Sequence, residues 1–156
     1  MLAIDIPGFG AISMEHLVLD FNGTLAVDGA LLPGVAQRLT VLSTQLAISV
    51  LTADTRGTAA KALADVPCRL EVVPNYGQAE AKQRVVESLG AERVAAIGNG
   101  RNDRLMLKAA RLGIAVIQAE GVATETLLGG CIVVPTANDA LDLLLHPLRL
   151  VATLRS

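Results

Sequence analysis

The sequence predicts an α/β domain in which a central parallel sheet carries helices on both faces. Three observations lead there. Short runs rich in Val, Ile and Leu alternate along the chain with stretches of helical spacing and good helix formers. These runs are apolar almost throughout, whereas a strand with one wet face would alternate apolar and polar residues. Finally, 156 residues, 52% of them hydrophobic, match one domain with a single well-formed core and leave little chain for a second. The expected unit is residues 1–156 taken together, with right-handed crossovers between strands.

The candidate strands are the apolar runs at residues 16–20, 47–52, 68–73, 93–97, 114–117 and 131–134. Helical stretches lie between them at 35–45, 58–64, 78–89, 103–112 and 138–145. A hairpin is expected after the first strand, with Val27-Asp-Gly-Ala30 as its turn, because Asp-Gly favours the tight two-residue connection. The tail from Leu145 to Leu154 reads as a short helix starting after Pro147, packed on the sheet or, alternatively, forming a contact between subunits of a homo-oligomer.

Composition excludes several function classes. Thirteen Lys and Arg against fifteen Asp and Glu leave a formal net charge of −2, so no basic field attracts a nucleic acid backbone. Phe9, Phe21 and Tyr76 are the only aromatic residues, too few for a base-stacking platform. No stretch reaches the roughly 18 apolar residues needed to cross a bilayer, and the N-terminus lacks the charged start of a signal peptide. Cys68 and Cys131 are isolated, without CxxC spacing, and read as buried structural thiols. These features together make a cytoplasmic protein the expectation.

A parallel α/β sheet binds ligands beyond the carboxyl ends of its strands, which directs attention to the polar residues after each run. They are Asp20 with Asn22 and Thr24, then Thr52 with Asp54, then Lys82 at the start of a helix, then Asn99, Asn102 and Asp103. Two acids able to hold a hard cation, with a hydroxyl and an amine able to hold phosphate oxygens, suit phosphoryl chemistry.

The run His16-Leu-Val-Leu-Asp20-Phe-Asn-Gly-Thr-Leu25 resembles the first motif of the haloacid dehalogenase superfamily, an apolar strand ending in Asp-x-Asp-Gly-Thr, with Asn22 replacing the second Asp. The run Ile97-Gly-Asn-Gly-Arg-Asn-Asp103 resembles its fourth motif, with Asn99 where Asp is usual. Thr52 and Lys82 match motifs two and three. The stretch Thr52-Ala-Asp54, with Asn102 to Ala110 and Gly113 to Val116, is similar to the phosphorylation domain of P-type ATPases and to small soluble ATPase-like proteins. The resemblance implies a three-layer Rossmann-like fold of the haloacid dehalogenase type and a magnesium-dependent phosphohydrolase.

In that reading Asp20 is the nucleophile that becomes an aspartyl phosphate. Asp20, the Asn22 main-chain carbonyl, Asn99 and Asp103 form the magnesium site, while Gly23, Thr52, Ala53 and Lys82 hold the phosphate. Asn22 occupies the position of the family's general acid and base, which an amide cannot replace, so turnover is expected to be slow. Two charged ligands in place of three imply weak magnesium binding. Thirty-two positions separate Asp20 from Thr52 and thirty separate Thr52 from Lys82, leaving no room for a cap domain, so the site should be open. The substrate is a phosphorylated small molecule or a phosphoprotein. A pump is excluded, because the membrane helices, nucleotide domain and actuator segment are missing.

Each residue also has a structural reading. Asp54 and Thr55 suit helix capping, Asn102 suits orienting the cluster by hydrogen bonds, and His16 and His146 suit packing or surface positions. Gly98-Asn-Gly100 is a poor dinucleotide loop because Asp103 would repel a pyrophosphate, and no Walker loop is present. The alternative function is a phosphate-sensing or regulatory binding module of the same fold whose two asparagines have removed useful turnover. A receiver domain also combines Asp, Thr and Lys on a parallel sheet, but Asn-Gly-Thr and Gly-Asn-Gly argue against it.

Overall fold

The computed structural model describes residues 1–54 and 57–156. An antiparallel hairpin opens the chain, β1 (Leu2–Ile6) paired with β2 (Gly10–Met14). Then follow β3 (His16–Asp20), the two-residue strands β4 (Ala26–Val27) and β5 (Ala30–Leu31), α1 (Val35–Leu42), β6 (Ala47–Thr52), α2 (Thr58–Ala62) and β7 (Arg69–Val72). The second half runs through α3 (Gln78–Ser88), β8 (Val94–Gly98), a 3-10 turn (Arg101–Asp103), α4 (Arg104–Ala109), β9 (Leu112–Val116), α5 (Thr124–Leu127), β10 (Ile132–Val134), α6 (Ala137–Leu145) and α7 (Pro147–Leu154).

The main sheet has six strands in the order β10-β9-β8-β3-β6-β7, every neighbouring pair parallel. Period-2 alternation divides its side chains between two cores. Leu17 and Leu19 of β3 join one core with α1, α2 and α6, whereas Val18 joins the other with α3 and α4. This is the three-layer, Rossmann-like α/β fold, without a cap domain. In the expected hairpin, Asp28 (φ 52) and Gly29 (φ 80) both adopt the left-handed conformation that a tight two-residue turn requires.

Register decides what meets at the strand ends. Asp20 pairs with Leu51, and Leu19 pairs with Ile97, so Asp20, Thr52 and Gly98 finish side by side at one edge of the layer. The three central strands thereby deliver the first, second and fourth motifs to one place.

Three expectations are corrected. The β1–β2 hairpin was not anticipated, although β1 alternates buried and exposed residues as a half-wet strand does. α5 is a further element, a single turn too short to show periodicity. Cys131 is exposed and Cys68 half-buried, because each precedes an edge strand instead of lying within one. The tail helix α7 packs mainly on β1 and α6, and its Leu150 joins the core shared with the main sheet.

Candidate active site

After β3 the chain reverses around the Phe21 carbonyl, which accepts the N–H groups of Thr24, Leu25 and Ala26 at 3.3, 3.0 and 3.0 Å. Gly23 takes φ 77 within this turn, a conformation that costs a side-chain-bearing residue dearly, and its N–H donates to the Ala26 carbonyl at 2.7 Å. The reversal returns the Thr24 hydroxyl to the nucleophile candidate. Thr24 Oγ1 lies 3.2 Å from Asp20 Oδ2 and 3.0 Å from Asn99 Oδ1.

α3 contributes the counter-charge. Lys82, with 1% of its side chain exposed, donates from Nζ to Asp20 Oδ1 and to Asp103 Oδ1, both at 2.6 Å. Asp103 is fully buried, and its Oδ2 accepts the backbone N–H groups of Asn99 at 3.0 Å and Gly100 at 2.9 Å. A Cβ on Gly98 would stand 2.6 Å from Asp103 Cγ, so only glycine leaves space for that carboxylate. Asn102 donates to Gln78 Oε1 at 2.6 Å and ties the fourth motif to the first turn of α3.

Two carboxylates and one ammonium leave a surplus negative charge in a desolvated space. Burial first, and then the charge of Asp103, push the Asp20 carboxyl from 3.8 up to about 7, against the downward pull of Lys82 and Thr24. Burial alone would lower the Lys82 ammonium, but Asp20 and Asp103 outweigh it and hold its pKa above the ordinary value. Lys82 is therefore a permanent cation here.

On the other side of Asp20, the Thr52 oxygen accepts from the Asp54 N–H at 3.0 Å and from Asn22 Nδ2 at 3.4 Å. Both acceptor directions are used, so the hydroxyl proton is available to an incoming oxygen atom. Asp54 accepts the Ala59 N–H at 3.0 Å near the start of α2, as a capping residue does; Thr55 lies outside the described residues. Ala53 is half-buried against the second core, and Asn22 is exposed at the mouth. His16 and His146 are away from this cluster, on β3's first residue and between α6 and α7.

A model of the haloacid dehalogenase-like hydrolase family matches residues 77–127, a stretch holding Lys82, Asn99 and Asp103. An uncharacterized protein of Methanocaldococcus jannaschii is 51% identical over 85 residues, 51% of this chain and 91% of that protein. The chain belongs to the haloacid dehalogenase superfamily. Among solved structures of this superfamily's fold, 3-deoxy-D-manno-octulosonate 8-phosphate phosphatase from Moraxella catarrhalis, in complex with magnesium, phosphate and the sugar, superposes with a TM-score of 0.71. It is 14% identical, and the match covers 90% of each chain. The cobalt-bound deoxy-D-mannose-octulosonate 8-phosphate phosphatase of Haemophilus influenzae also gives 0.71, at 15% identity over 92% of this chain and 94% of that one.

Among the described residues, no group of three His, Cys, Asp or Glu side chains is arranged to hold a metal ion. The side-chain oxygens available to a cation here are those of Asp20, Asn99 and Asp103, each of which already accepts hydrogen bonds, together with main-chain oxygen. All are oxygen donors next to a surplus negative charge, a set that fits a hard divalent ion.

Sequence reasoning gave no role to Gln78, Gln118 or Glu120. Gln78 shares a face of α3 with Lys82, four positions on, a spacing that was visible. Gln78, Asn75, Glu80, Arg101, Asn102 and Arg104 line a cavity of about 370 Å³ that opens one helical turn from Lys82. No pattern marked Gln118 or Glu120, which lie in the loop after β9.

Proposed function

We propose that the chain is a magnesium-dependent phosphohydrolase that works through an aspartyl phosphate on Asp20, with slow turnover. The observation that carries this reading is the bridge from Lys82 to both Asp20 and Asp103 at 2.6 Å, beside the donor hydroxyl of Thr52. Asp20 attacks phosphorus; the new bond is O–P and the bond broken is that between phosphorus and the leaving oxygen, which departs with its electron pair. Thr52, the last residue of β6, and the Ala53 backbone after it hold phosphoryl oxygens, and Gly23 lets them approach the first-motif turn. Lys82 keeps its charge throughout and offsets the negative charge on those oxygens.

Asp20, the Asn22 carbonyl, Asn99 and Asp103 would hold magnesium, and Asp103 also fixes the loop and Lys82. When bound, the ion would supply charge neutralisation at the phosphoryl group and beside the Asp20 carboxylate. Asn22 cannot shuttle a proton, so the leaving oxygen takes its proton from water, and water later attacks the aspartyl phosphate unaided by a base. That is the physical ground for a long-lived phosphoenzyme, in keeping with the resemblance to P-type ATPases.

The phosphatases of 3-deoxy-D-manno-octulosonate 8-phosphate that share this fold support a small phosphate ester as substrate, and an open site without a cap also admits a phosphoprotein. Magnesium-dependent phosphate release from phosphate esters, acetyl phosphate and ATP tests the reading, with Asp20→Asn and chelator as controls. Release requiring both magnesium and Asp20 supports it, and Asn22→Asp then raises turnover by about 10²-fold. Release that survives Asp20→Asn overturns the assignment of the nucleophile.

A further inference from the structure

Asn99 replaces the superfamily's acidic residue, and the structure shows what its amide does. Asn99 Nδ2 donates to the Gly121 carbonyl at 2.9 Å, a bond that a carboxylate could not make. The same loop is held at two further points: the Ala123 N–H donates to the Asn99 carbonyl at 3.0 Å, and Gln118 Nε2 donates to the Thr24 carbonyl at 2.9 Å. Gln118 adopts φ 52, a left-handed conformation unfavourable for a non-glycine residue, which these bonds sustain. The loop after β9 is thus fastened to Thr24 and Asn99.

Glu120 is the residue this clamp presents. A Cβ on Gly23 would lie 2.5 Å from Glu120 Oε2, 2.7 Å from Asn99 Nδ2 and 3.0 Å from Asn99 Oδ1. The Glu120 carboxylate and the Asn99 amide therefore face the same point over the bare first-motif turn, whereas the Asn22 side chain donates to Thr52. Glu120 is exposed, and among the described residues it has no hydrogen-bond or ion-pair partner. Asn99 gives up charge but, by clamping the loop, brings a carboxylate from elsewhere.

We infer that Glu120 is a metal-site residue, supplying to the cation held by Asp20 and Asn99 the negative charge that Asn99 lacks. The inference rests on the phosphohydrolase reading of the same site. Charge count at a hard-cation site sets its affinity, and outer partners of a metal site typically contribute 10- to 100-fold. Magnesium chloride titrated calorimetrically into the chelator-stripped protein measures this without any substrate. Glu120→Gln should weaken magnesium binding by about tenfold or more while leaving the melting temperature in chelator unchanged, as expected at an exposed side chain. Glu125→Gln, an exposed carboxylate on α5 paired with Arg101 and Arg104, controls for general loss of negative charge and should leave affinity unchanged. Affinity within twofold of wild type in Glu120→Gln, or an equal loss in Glu125→Gln, overturns the inference alone, provided that wild type binds magnesium and Asp20→Asn does not. Wild-type protein that takes up no magnesium overturns both this inference and the reading beneath it.

Discussion

Replacing Asp20, the proposed nucleophile, should stabilise the metal-free protein. Asp20 is 5% exposed and its carboxyl is raised from 3.8 to about 7. With each tenfold in the protonation constant worth about 1.4 kcal/mol, ionised Asp20 costs the folded chain about 4 kcal/mol above pH 7 relative to the unfolded one. The sign follows from proton binding. The folded protein keeps this proton to higher pH than the unfolded protein does, so stability is greatest below about pH 4 with respect to this group and falls as pH rises to about 7. Asparagine never ionises, and its geometry suits the pocket. Its oxygen can accept from Lys82, its amide can donate to Thr24 Oγ1, and Thr24 can then donate its single proton to Asn99 Oδ1. The gain expected for Asp20→Asn at pH 8 in chelator is about 2 to 4 kcal/mol, or about 5 to 10 °C in melting temperature for a chain of this size. Thermal melts of both proteins between pH 5 and 8 read it directly, and the difference should widen with pH. Parallel melting temperatures across that range, or a less stable Asp20→Asn at pH 8, would refute the surplus-charge account of the site.

Lys82→Met leaves Asp20 and Asp103 buried without a counter-ion and should destabilise by about 3 to 5 kcal/mol near neutral pH, measured by urea unfolding, with phosphate release abolished. Gly98→Ala places a Cβ 2.6 Å from Asp103 Cγ in a packed interior; a loss of about 1 to 3 kcal/mol and much weaker phosphate release are expected, checked by melting and by the release assay. Arg38 holds Asp142 through bonds of 2.7 and 3.1 Å between α1 and α6, and this hydrogen bonding lowers the Asp142 pKa below its ordinary value. That contribution is present above the ordinary carboxylate range and is lost as pH falls through it. Asp142→Asn should therefore lower the melting temperature at pH 7 and converge with wild type near pH 3.

The strand ends were legible because each apolar run stops at a polar residue, and Asp20 and Thr52 are the last residues of β3 and β6. Lys82 was less so. Locally it resembles Lys61 and Lys108, and what distinguishes it is burial, which depends on α3 packing over the carboxyl end of β3. Asp103 read as a first-turn or metal residue, and nothing in the sequence signalled that its oxygens accept from Lys82 and two backbone N–H groups. That arrangement requires the missing Cβ of Gly98, a fact about three-dimensional contact and not spacing. Glu120 was illegible for a related reason. It lies on a loop without periodicity, and its approach to the first motif depends on the left-handed backbone at Gln118 and on the bare face of Gly23. The β1–β2 hairpin did carry its period-2 signal in Leu2, Ile4 and Ile6, but two strands ahead of a parallel sheet do not follow from the alternation that defined the rest.

The triad of Asp20, Lys82 and Asp103 is poorly explained as a device for stability. Buried ion pairs recover their desolvation cost only with compensating partners, and here one cation serves two anions. Asp103 has compensation from two backbone N–H groups, and among the described residues Asp20 has only the Thr24 hydroxyl besides Lys82. The unfavourable charge therefore resides on Asp20, at the end of the central strand and next to Thr52, a buried threonine that still has a proton to donate. A fold selected for stability alone would neutralise one of the two acids. Concentrating the cost on the residue best placed to attack an electrophile, while saturating the other acid with hydrogen bonds, is the arrangement expected when the pocket is shaped by a bound cation and a transferring phosphoryl group.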